Sequence, residues 1–162
     1  MEFNISDIII RKINTGEKVP FSLLLLSDDT VDAINNNLTG GELYIATIQE
    51  KIAGAFILKL IETDTIEIKN IAVDEAVQGN GIGSILLQYI IESTKARKLK
   101  SLIVGTCDQC NKEIRFYQKS GFKIFSIKKN FFIDNYTNPI YENDVQIRDM
   151  VMLQINIPND EQ

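Results

Sequence analysis

One stretch of six residues, Gln78 to Gly83, constrains the fold of this chain more than any other. It follows an apolar run that ends at residues 71–73 and precedes a helical pattern that begins at Ser84, so the local order is strand, glycine-rich turn and helix. Glycines let main-chain N–H groups approach a ligand closely, and a helix start adds unpaired donors and the positive end of a dipole. The stretch therefore predicts a binding site for an anionic group.

The spacing of this turn excludes two common phosphate-binding motifs. Gly83 is followed by Ser84 and Ile85, without the lysine that a nucleotide P-loop requires. Ser84 also stands where a dinucleotide-binding fingerprint needs its third glycine. The turn alone is also compatible with an ordinary tight connection, so the rest of the chain has to decide between the two interpretations.

The remaining chain alternates between patterns typical of strands and patterns typical of helices. Strands are predicted at residues 6–13, 43–48, 52–61, 65–73, 101–106, 122–129 and 147–157. Four helices are predicted. The first covers residues 20–26, the second begins after an Asp28-Asp29 cap and ends at about residue 38, the third follows the glycine turn, and the fourth covers residues 111–120. Strands 65–73 and 101–106 flank the long helix, so they are predicted to be parallel. Residues 130–145 are predicted to be a packed aromatic loop, 158–162 a frayed tail, and 1–162 a single domain.

Two motifs in this order resemble the signatures of the GNAT superfamily of acetyl-CoA-dependent N-acetyltransferases. Gln78, Gly81 and Gly83 match Gln/Arg-x-x-Gly-x-Gly/Ala, and residues 116–122, Phe-Tyr-Gln-Lys-Ser-Gly-Phe, match the second signature. The resemblance extends over nearly the whole chain. It implies an α/β fold with a mixed sheet of about seven strands, mostly antiparallel, with a central splayed parallel pair and about four helices.

The resemblance also implies that acetyl-CoA is a co-substrate bound between the two splayed strands. Main-chain groups of Ile71, Ala72 and Val73 would hold the pantetheine arm and the acetyl group. The pyrophosphate would bind at the turn and helix start, at Gln78, Gly79, Asn80, Gly81, Ile82, Gly83 and Ser84. Many relatives carry an asparagine seven residues before the tyrosine of the second motif, where this chain has Cys110 followed by Asn111. Asn111 either contacts coenzyme A through a shifted helix start or only caps the helix.

Tyr117 is the candidate general acid, because the resemblance places it near the sulfur of coenzyme A. A phenol, with a pKa of about 10, stays protonated and can donate to a thiolate leaving group whose reference pKa is about 8.5. The attacking amine must first lose a proton, because an alkylammonium has no lone pair. Glu67 is the candidate base, acting directly or through water; the alternative is a carboxylate on the sheet surface that pairs with Lys69 or is solvated.

The acceptor is predicted to be a primary amine of a small molecule. Asp28, Tyr136, Tyr141 and Glu142 are candidates for binding a cationic substrate, and the alternatives are caps, surface charges and loop anchors. Ribosomal-protein alanine acetyltransferases of this superfamily carry a glutamate where this chain has residues 105–106, Gly-Thr, which counts against a protein N-terminus. Two other functions stay open: a non-catalytic acyl-CoA-binding domain and an acetyltransferase of protein or peptide amines.

Composition narrows the chemistry further. The chain contains no histidine, which excludes a Ser-His-Asp triad and a His-ligated metal, so no metal is expected. The net charge of -5 argues against a nucleic-acid partner and favours a cationic substrate. No apolar run is long enough to span a membrane and the first residues lack the basic start of a signal peptide, so a cytoplasmic protein without a membrane partner is expected. The oligomeric state is left open, a homodimer included.

The two cysteines form a C-x-x-C pattern at a predicted strand-to-helix turn, the setting of a thioredoxin-type redox pair. Two cysteines without histidine do not complete a four-ligand zinc site within one chain. The surrounding element order differs from that of thioredoxin. Cys107 and Cys110 are therefore interpreted as reduced thiols near the coenzyme, with a dithiol redox function as the alternative.

Overall fold

The structure is a computed structural model and describes residues 4–158. Its strands are β1 Ile9–Lys12, β2 Glu42–Ile48, β3 Lys51–Glu62, β4 Thr65–Val73, β5 Ser101–Cys107, β6 Lys123–Lys128, β7 Tyr141–Glu142, β8 Val145–Gln146 and β9 Met150–Asn156. Its α-helices are α1 Phe21–Leu24, α2 Val31–Leu38, α3 Ile82–Ala96, α4 Asn111–Lys119 and α5 Phe131–Asn135. Two short 3-10 helices lie at Ile5–Asp7 and Glu75–Val77. The expected fraying of the last residues falls mostly on 159–162, outside the described residues.

The main sheet has seven strands in the order β1-β2-β3-β4-β5-β9-β6. Every neighbouring pair is antiparallel except β4 and β5, which are parallel and joined through α3. A separate two-stranded sheet is formed by β7 and β8. The mixed α/β fold with a central parallel pair is therefore confirmed, with five α-helices instead of about four.

The additional helix lies in the segment predicted to be a loop. Residues 130–145 fold into α5 and into the β7–β8 hairpin, and Asn130 begins α5 with a φ of 57°. The prediction that Asp28-Asp29 caps the second helix is wrong. The helix α2 begins after Thr30, whose hydroxyl oxygen accepts the N–H of Ala33 at 3.0 Å. The strands β1 and β9 are shorter than predicted, because a 3-10 helix and an irregular segment replace their first residues.

The two parallel strands separate part of the way along their length. The β4–β5 ladder runs from Thr65 opposite Ser101 to Ile68 opposite Val104 and then stops. Beyond that point β4 continues beside β3 as far as Val73, and β5 continues beside β9 as far as Cys107. The gap between residues 69–73 and 105–107 is called the wedge below. It is the splayed pair that the sequence motifs predict.

Two apolar clusters cover the two faces of the sheet. On one face α3 packs its buried Leu86 and Ile90 against residues that include Phe56 and Leu102. On the other face α1 and α2 bury Leu24, Ile34 and their neighbours. Each fully buried side chain of this size contributes about 1.5–3 kcal/mol, so both faces hold the wedge strands in place. None of the helices in residues 4–158 is long and apolar enough to cross a membrane.

Candidate active site

The glycine turn is shaped by left-handed backbone at two positions. Gly79 and Gly81 have φ angles of 81° and 82°, which L side chains rarely adopt. Gly81 is the N-cap of α3, and no described side chain caps this helix. The first intrahelical bond runs from the N–H of Ile85 to the carbonyl of Gly81 at 3.2 Å, so the N–H groups of residues 82–84 have no intrahelical acceptor. The turn therefore presents free donors at the positive end of a helix.

Side chains within the turn hold its main chain in this shape. The Gln78 amide donates to the carbonyl of Val73 at 2.9 Å, and the Asn80 amide donates to the carbonyl of Val77 at 2.9 Å. The side chain of Ile82 is buried in the core. These residues thus fix the turn with their side chains and leave main-chain groups to contact a ligand.

A cavity of ≈ 480 Å³ occupies the wedge. Ile71, Ala72 and Val73 line it from β4, Gly83 from the start of α3, and residues 104–107 from β5. Ligand-binding pockets commonly measure about 300–1,000 Å³. The cavity is therefore large enough for part of an extended ligand whose anionic group lies at the glycine turn.

Tyr117 also lines this cavity. It lies on α4, is 5% exposed, and packs edge to face against Phe122 with ring centroids 5.5 Å apart. Gly121, with a φ of 100°, ends the helix and lets the N–H of Phe122 reach the carbonyl of Tyr117 at 3.2 Å. Burial, together with the charge of Glu113, raises the pKa of Tyr117 well above its ordinary value. The phenol is therefore neutral and available as a hydrogen-bond donor.

Glu67 is buried, at 6% exposed, and its Oε1 lies 3.0 Å from Nζ of Lys69. This is the ion pair that the sequence left open as an alternative. The carboxylate lines an adjoining pocket of ≈ 380 Å³, whereas Tyr117 lines the wedge cavity. Lys69 and Asp28 line both pockets. The two candidate catalytic side chains therefore face neighbouring spaces and do not share one.

Asp28 also lines the wedge cavity, and its carboxylate is held by three donors. Its Oδ1 accepts the Tyr136 hydroxyl at 2.8 Å and the main-chain N–H of Asp29 at 2.8 Å. Its Oδ2 accepts the Asn37 amide at 3.4 Å. These bonds fix the orientation of the carboxylate before any ligand is present, so Asp28 is a preorganised acceptor of hydrogen bonds.

A buried asparagine on β4 is linked to the Asp28 carboxylate through the side chain of Asn37. Asn70 is 2% exposed, accepts from the Asn37 amide at 2.7 Å and donates to the Ser27 hydroxyl at 3.0 Å. Ser27 in turn donates to the carbonyl of Leu24 at 2.9 Å. Sequence reasoning missed Asn70. The available signal was a neutral polar residue on the strand face that otherwise carries Ile66, Ile68 and Ala72.

The cavity carries an excess of negative charge around Asp28. Asp28, Asp29 and Glu142 line it together with Tyr136 and Tyr141. Partial burial and the neighbouring carboxylates of Asp28 and Glu142 raise the pKa of Asp29. Burial and the hydrogen bond to Asp28 raise the pKa of Tyr136, which keeps its hydroxyl a donor. A cation bound here would relieve the repulsion between these carboxylates.

The structure thus brings most of the proposed site residues to one cavity. Those that line it are Ile71, Ala72, Val73, Gly83, Tyr117, Asp28, Tyr136, Tyr141 and Glu142. The glycine-turn residues Gln78, Gly79, Asn80, Gly81, Ile82 and Ser84 do not line it and form the separate turn at the start of α3. Asn111 is exposed as the first residue of α4 and does not line the cavity, whereas Cys110 does.

The interpretation of the two cysteines as reduced thiols is wrong. Cys107, the last residue of β5, and Cys110, the N-cap of α4, form a disulfide with Cα atoms 5.1 Å apart. A spacing of two residues does not determine the redox state of a cysteine pair, so the sequence could not settle this point. Both residues line the wedge cavity. No group of acidic or cysteine residues in the described chain has the arrangement of a metal site.

Comparisons with known proteins agree with this geometry. Residues 39–124 match the family model of the acetyltransferase (GNAT) domain, and this range contains the wedge strands, the glycine turn and Tyr117. The chain is also similar to a Bacillus subtilis (strain 168) protein named uncharacterized N-acetyltransferase YvbK. The two are 36% identical over 149 residues, which is 90% of this chain and 96% of the relative.

Two solved structures have similar folds over nearly their whole length. One is a GNAT family acetyltransferase from Elizabethkingia anophelis with acetyl-CoA bound, at a TM-score of 0.91 and 41% identity. The other is the IAA acetyltransferase from Bacillus cereus ATCC 14579, at a TM-score of 0.86 and 37% identity. In each case the match covers 93% of this chain and 99% of the other.

Proposed function

The chain belongs to the GNAT family of acetyltransferases, and from this premise we propose that it transfers the acetyl group of acetyl-CoA to a primary amine of a small, cationic molecule. The observation that carries the proposal is the continuity of one cavity. The cavity is lined both by β4, β5 and Tyr117 and by Asp28, Asp29 and Glu142. A donor and a cationic acceptor can therefore occupy the same space.

The residues of the wedge fit the coenzyme. From Lys69 onward the edge of β4 that faces β5 has no strand partner, so its main-chain groups are available to the amides of a pantetheine arm. The free N–H groups of residues 82–84 fit a pyrophosphate at the start of α3. The acetyl-CoA bound to the Elizabethkingia anophelis relative supports the same assignment.

Acetyl-CoA supplies a thioester whose carbonyl carbon is open to attack by an amine and whose sulfur leaves as a thiolate. Tyr117 is proposed to stabilise that developing charge. Because burial raises the pKa of Tyr117, a thiolate with a reference pKa of about 8.5 is too weak a base to remove its proton outright. Tyr117 therefore acts mainly as a buried hydrogen-bond donor to the leaving sulfur, and no covalent enzyme intermediate is required.

Glu67 remains the proposed base, with a change in how it would act. Its carboxylate is salt-bridged to Lys69 and faces the adjoining pocket, so it is proposed to take the proton from the amine through intervening water. Lys69, which lines both pockets, marks the boundary that such a water chain would cross. Direct contact between Glu67 and the acceptor is not part of the proposal.

The acceptor is proposed to be small and to carry positive charge. Asp28 is preoriented by Tyr136 and Asn37, while Asp29 and Glu142 add charge that a ligand can neutralise. The aromatic faces of Tyr136 and Tyr141 suit an alkylammonium. The predicted single domain, the cytoplasmic location and the absence of a nucleic-acid or membrane partner remain part of this proposal.

A panel assay tests the function. Release of the coenzyme A thiol from acetyl-CoA is measured with mono-, di- and polyamines, aminoglycosides, amino acids, a lysine-containing peptide and a peptide with a free N-terminus. Turnover that is highest with a small dicationic amine is expected. Turnover only with the peptides would replace the small-molecule acceptor by a protein amine. Binding of acetyl-CoA by calorimetry, with no turnover on any amine, would favour a non-catalytic acyl-CoA-binding domain.

A further inference from the structure

The Cys107–Cys110 disulfide lies at a position where a second thiol is generated. Both cysteines line the wedge cavity, and so do Tyr117 and residues 71–73. Under the proposed function, each turnover leaves coenzyme A in this cavity with a free thiol. A disulfide and a thiol that occupy one small cavity are reactants for thiol–disulfide exchange.

We propose that the Cys107–Cys110 disulfide is a modification site at which coenzyme A becomes covalently attached to Cys110. The inference rests on the coenzyme placement argued above and goes beyond acetyl transfer. It assigns a chemical role to the pair, which the acetyl-transfer mechanism does not use.

Cys110 is the cysteine whose sulfur is attacked, because it is more accessible than Cys107. Cys107 is 4% exposed, and its main chain is fixed in β5 opposite Met150. Cys110 is half-buried at the strand-to-helix turn, where its N–H donates to the carbonyl of Cys107 at 3.0 Å. An incoming thiolate therefore reaches Cys110 with less rearrangement than Cys107.

The exchange is balanced without an external oxidant. The thiolate of coenzyme A forms a new S–S bond to Sγ of Cys110 while the bond between Cys110 and Cys107 breaks. The electron pair leaves on Sγ of Cys107, which takes up a proton and becomes a thiol. The product is a mixed disulfide on Cys110 and one free thiol, and the chain gains the mass of one coenzyme A.

The mixed disulfide would hold the coenzyme in the wedge and prevent acetyl-CoA from binding. A small dithiol would reduce the mixed disulfide, release coenzyme A and leave Cys107 and Cys110 both as thiols. An enzyme with an oxidised cysteine pair would thus be inactivated by its own product, whereas the reduced enzyme would keep turning over.

Intact-mass spectrometry of the whole chain tests the proposal. Protein purified without reductant is incubated anaerobically with coenzyme A, quenched in acid, alkylated and weighed, and peptides are mapped. We expect one coenzyme A per chain on Cys110, alkylation on Cys107, and loss of the adduct with dithiothreitol. Because the binding site brings the two sulfurs together, the reaction should be roughly tenfold faster, or more, than with glutathione at the same concentration.

Acetyl-CoA provides the matched control, because it has the same binding groups but no free thiol. An excess of it should protect the disulfide. The variants Cys107→Ser and Cys110→Ser lack the disulfide and should gain no mass under the same anaerobic conditions. An adduct that forms equally fast with glutathione, or that acetyl-CoA fails to block, would overturn the proposal.

Calorimetry on the same sample separates the two hypotheses. Binding of coenzyme A without an adduct overturns this inference and leaves the acetyltransferase proposal intact. If the protein neither binds coenzyme A nor transfers acetyl groups, the proposed function itself is overturned. Two freely alkylated cysteines in the protein purified without reductant overturn the inference at its first step.

Discussion

The hydroxyl of Tyr136 donates a hydrogen bond to Oδ1 of Asp28 across 2.8 Å, although 108 positions separate the two residues in the chain. Tyr136 directly follows α5, and Asp28 lies between α1 and α2. This bond joins the segment between α1 and α2 to the residue after α5, and both residues line the wedge cavity. The acceptor end of the site is therefore assembled from parts of the chain that are distant in sequence.

Removing this bond should weaken acceptor binding. In Tyr136→Phe the ring remains while Asp28 loses one hydrogen-bond donor. The loss should weaken amine binding by about 1 kcal/mol, which raises the KM for the amine roughly fivefold. Steady-state kinetics with both substrates measure the effect. The KM for acetyl-CoA should stay constant, and an unchanged KM for the amine would exclude Asp28 and Tyr136 from acceptor binding.

The buried Asn70 should matter for both stability and acceptor binding. Asn70→Leu removes one acceptor of the Asn37 amide and the donor to the Ser27 hydroxyl, so a loss of about 1–3 kcal/mol in unfolding free energy is expected. Urea denaturation measures this change, and KM for the amine should rise in parallel. Asn35→Ala, an exposed site on the same helix as Asn37, is the control and should behave like wild type.

Tyr117→Phe should lower kcat by about 10²-fold or more, because it deletes the donor to the leaving sulfur and keeps the buried ring. Affinity for acetyl-CoA by calorimetry should stay close to that of wild type. Tyr89→Phe is the matched control, since Tyr89 packs on Phe56 with ring centroids 6.0 Å apart and does not line the cavity. Equal turnover of the two variants would remove Tyr117 from the mechanism.

The glycine turn can be tested with two glycines of the same conformation. Gly81 and Gly16 have φ angles of 82° and 85°, and a Cβ at either position meets no atom within 4 Å. Alanine should therefore destabilise both variants by about 1 kcal/mol through backbone strain alone. Only Gly81→Ala should also weaken coenzyme A binding, measured by calorimetry. Equal affinities in the two variants would contradict the pyrophosphate assignment.

Asp29 should make acceptor binding depend on pH. Its pKa is raised, so it loses its charge at a higher pH than an ordinary aspartate, and affinity for a cationic amine should fall as the pH drops through that value. The same shift means that the folded chain binds this proton more tightly than the unfolded chain. The ligand-free protein therefore loses stability as the pH rises from the unfolded to the folded pKa.

Asp29→Asn should remove both trends. Acceptor KM would be higher at neutral pH and flatter with pH, while the ligand-free variant would be at least as stable as wild type. Kinetics and thermal melts between pH 4 and 8 measure the two effects. Asp134→Asn, on the exposed side of α5, serves as the charge-matched control. A pH profile of amine KM that is unchanged in Asp29→Asn would show that Asp29 does not bind the acceptor.

Local patterns in the sequence predicted the parts of the fold that depend on neighbouring residues. The glycine turn, the stripe of α3 and the motif around Tyr117 are each contained within a few turns of chain, so their residue spacing determines their structure. The separation of β4 and β5 followed from the same motifs through the family resemblance.

The parts that were missed depend on contacts between distant residues or on weak local signals. Asn70 is bonded to Asn37 and Ser27, which are 33 and 43 positions away, and nothing in the strand pattern names those partners. The helix α5 has only five residues and no side-chain cap in the described chain, so it lacks the usual start signal. The disulfide depends on a redox state that a C-x-x-C spacing does not encode.

Main-chain pairing between β4 and β5 stops after Ile68 and Val104, so the middle of the sheet has two strand edges that do not pair with each other. A ligand that pairs with the free edge of β4 completes the sheet, so donor binding and folding are thermodynamically linked. At a donor concentration 100 times its Kd, such linkage adds about 2.7 kcal/mol to the free energy of unfolding. We therefore expect the folded enzyme to become more resistant to unfolding as the concentration of acetyl-CoA rises.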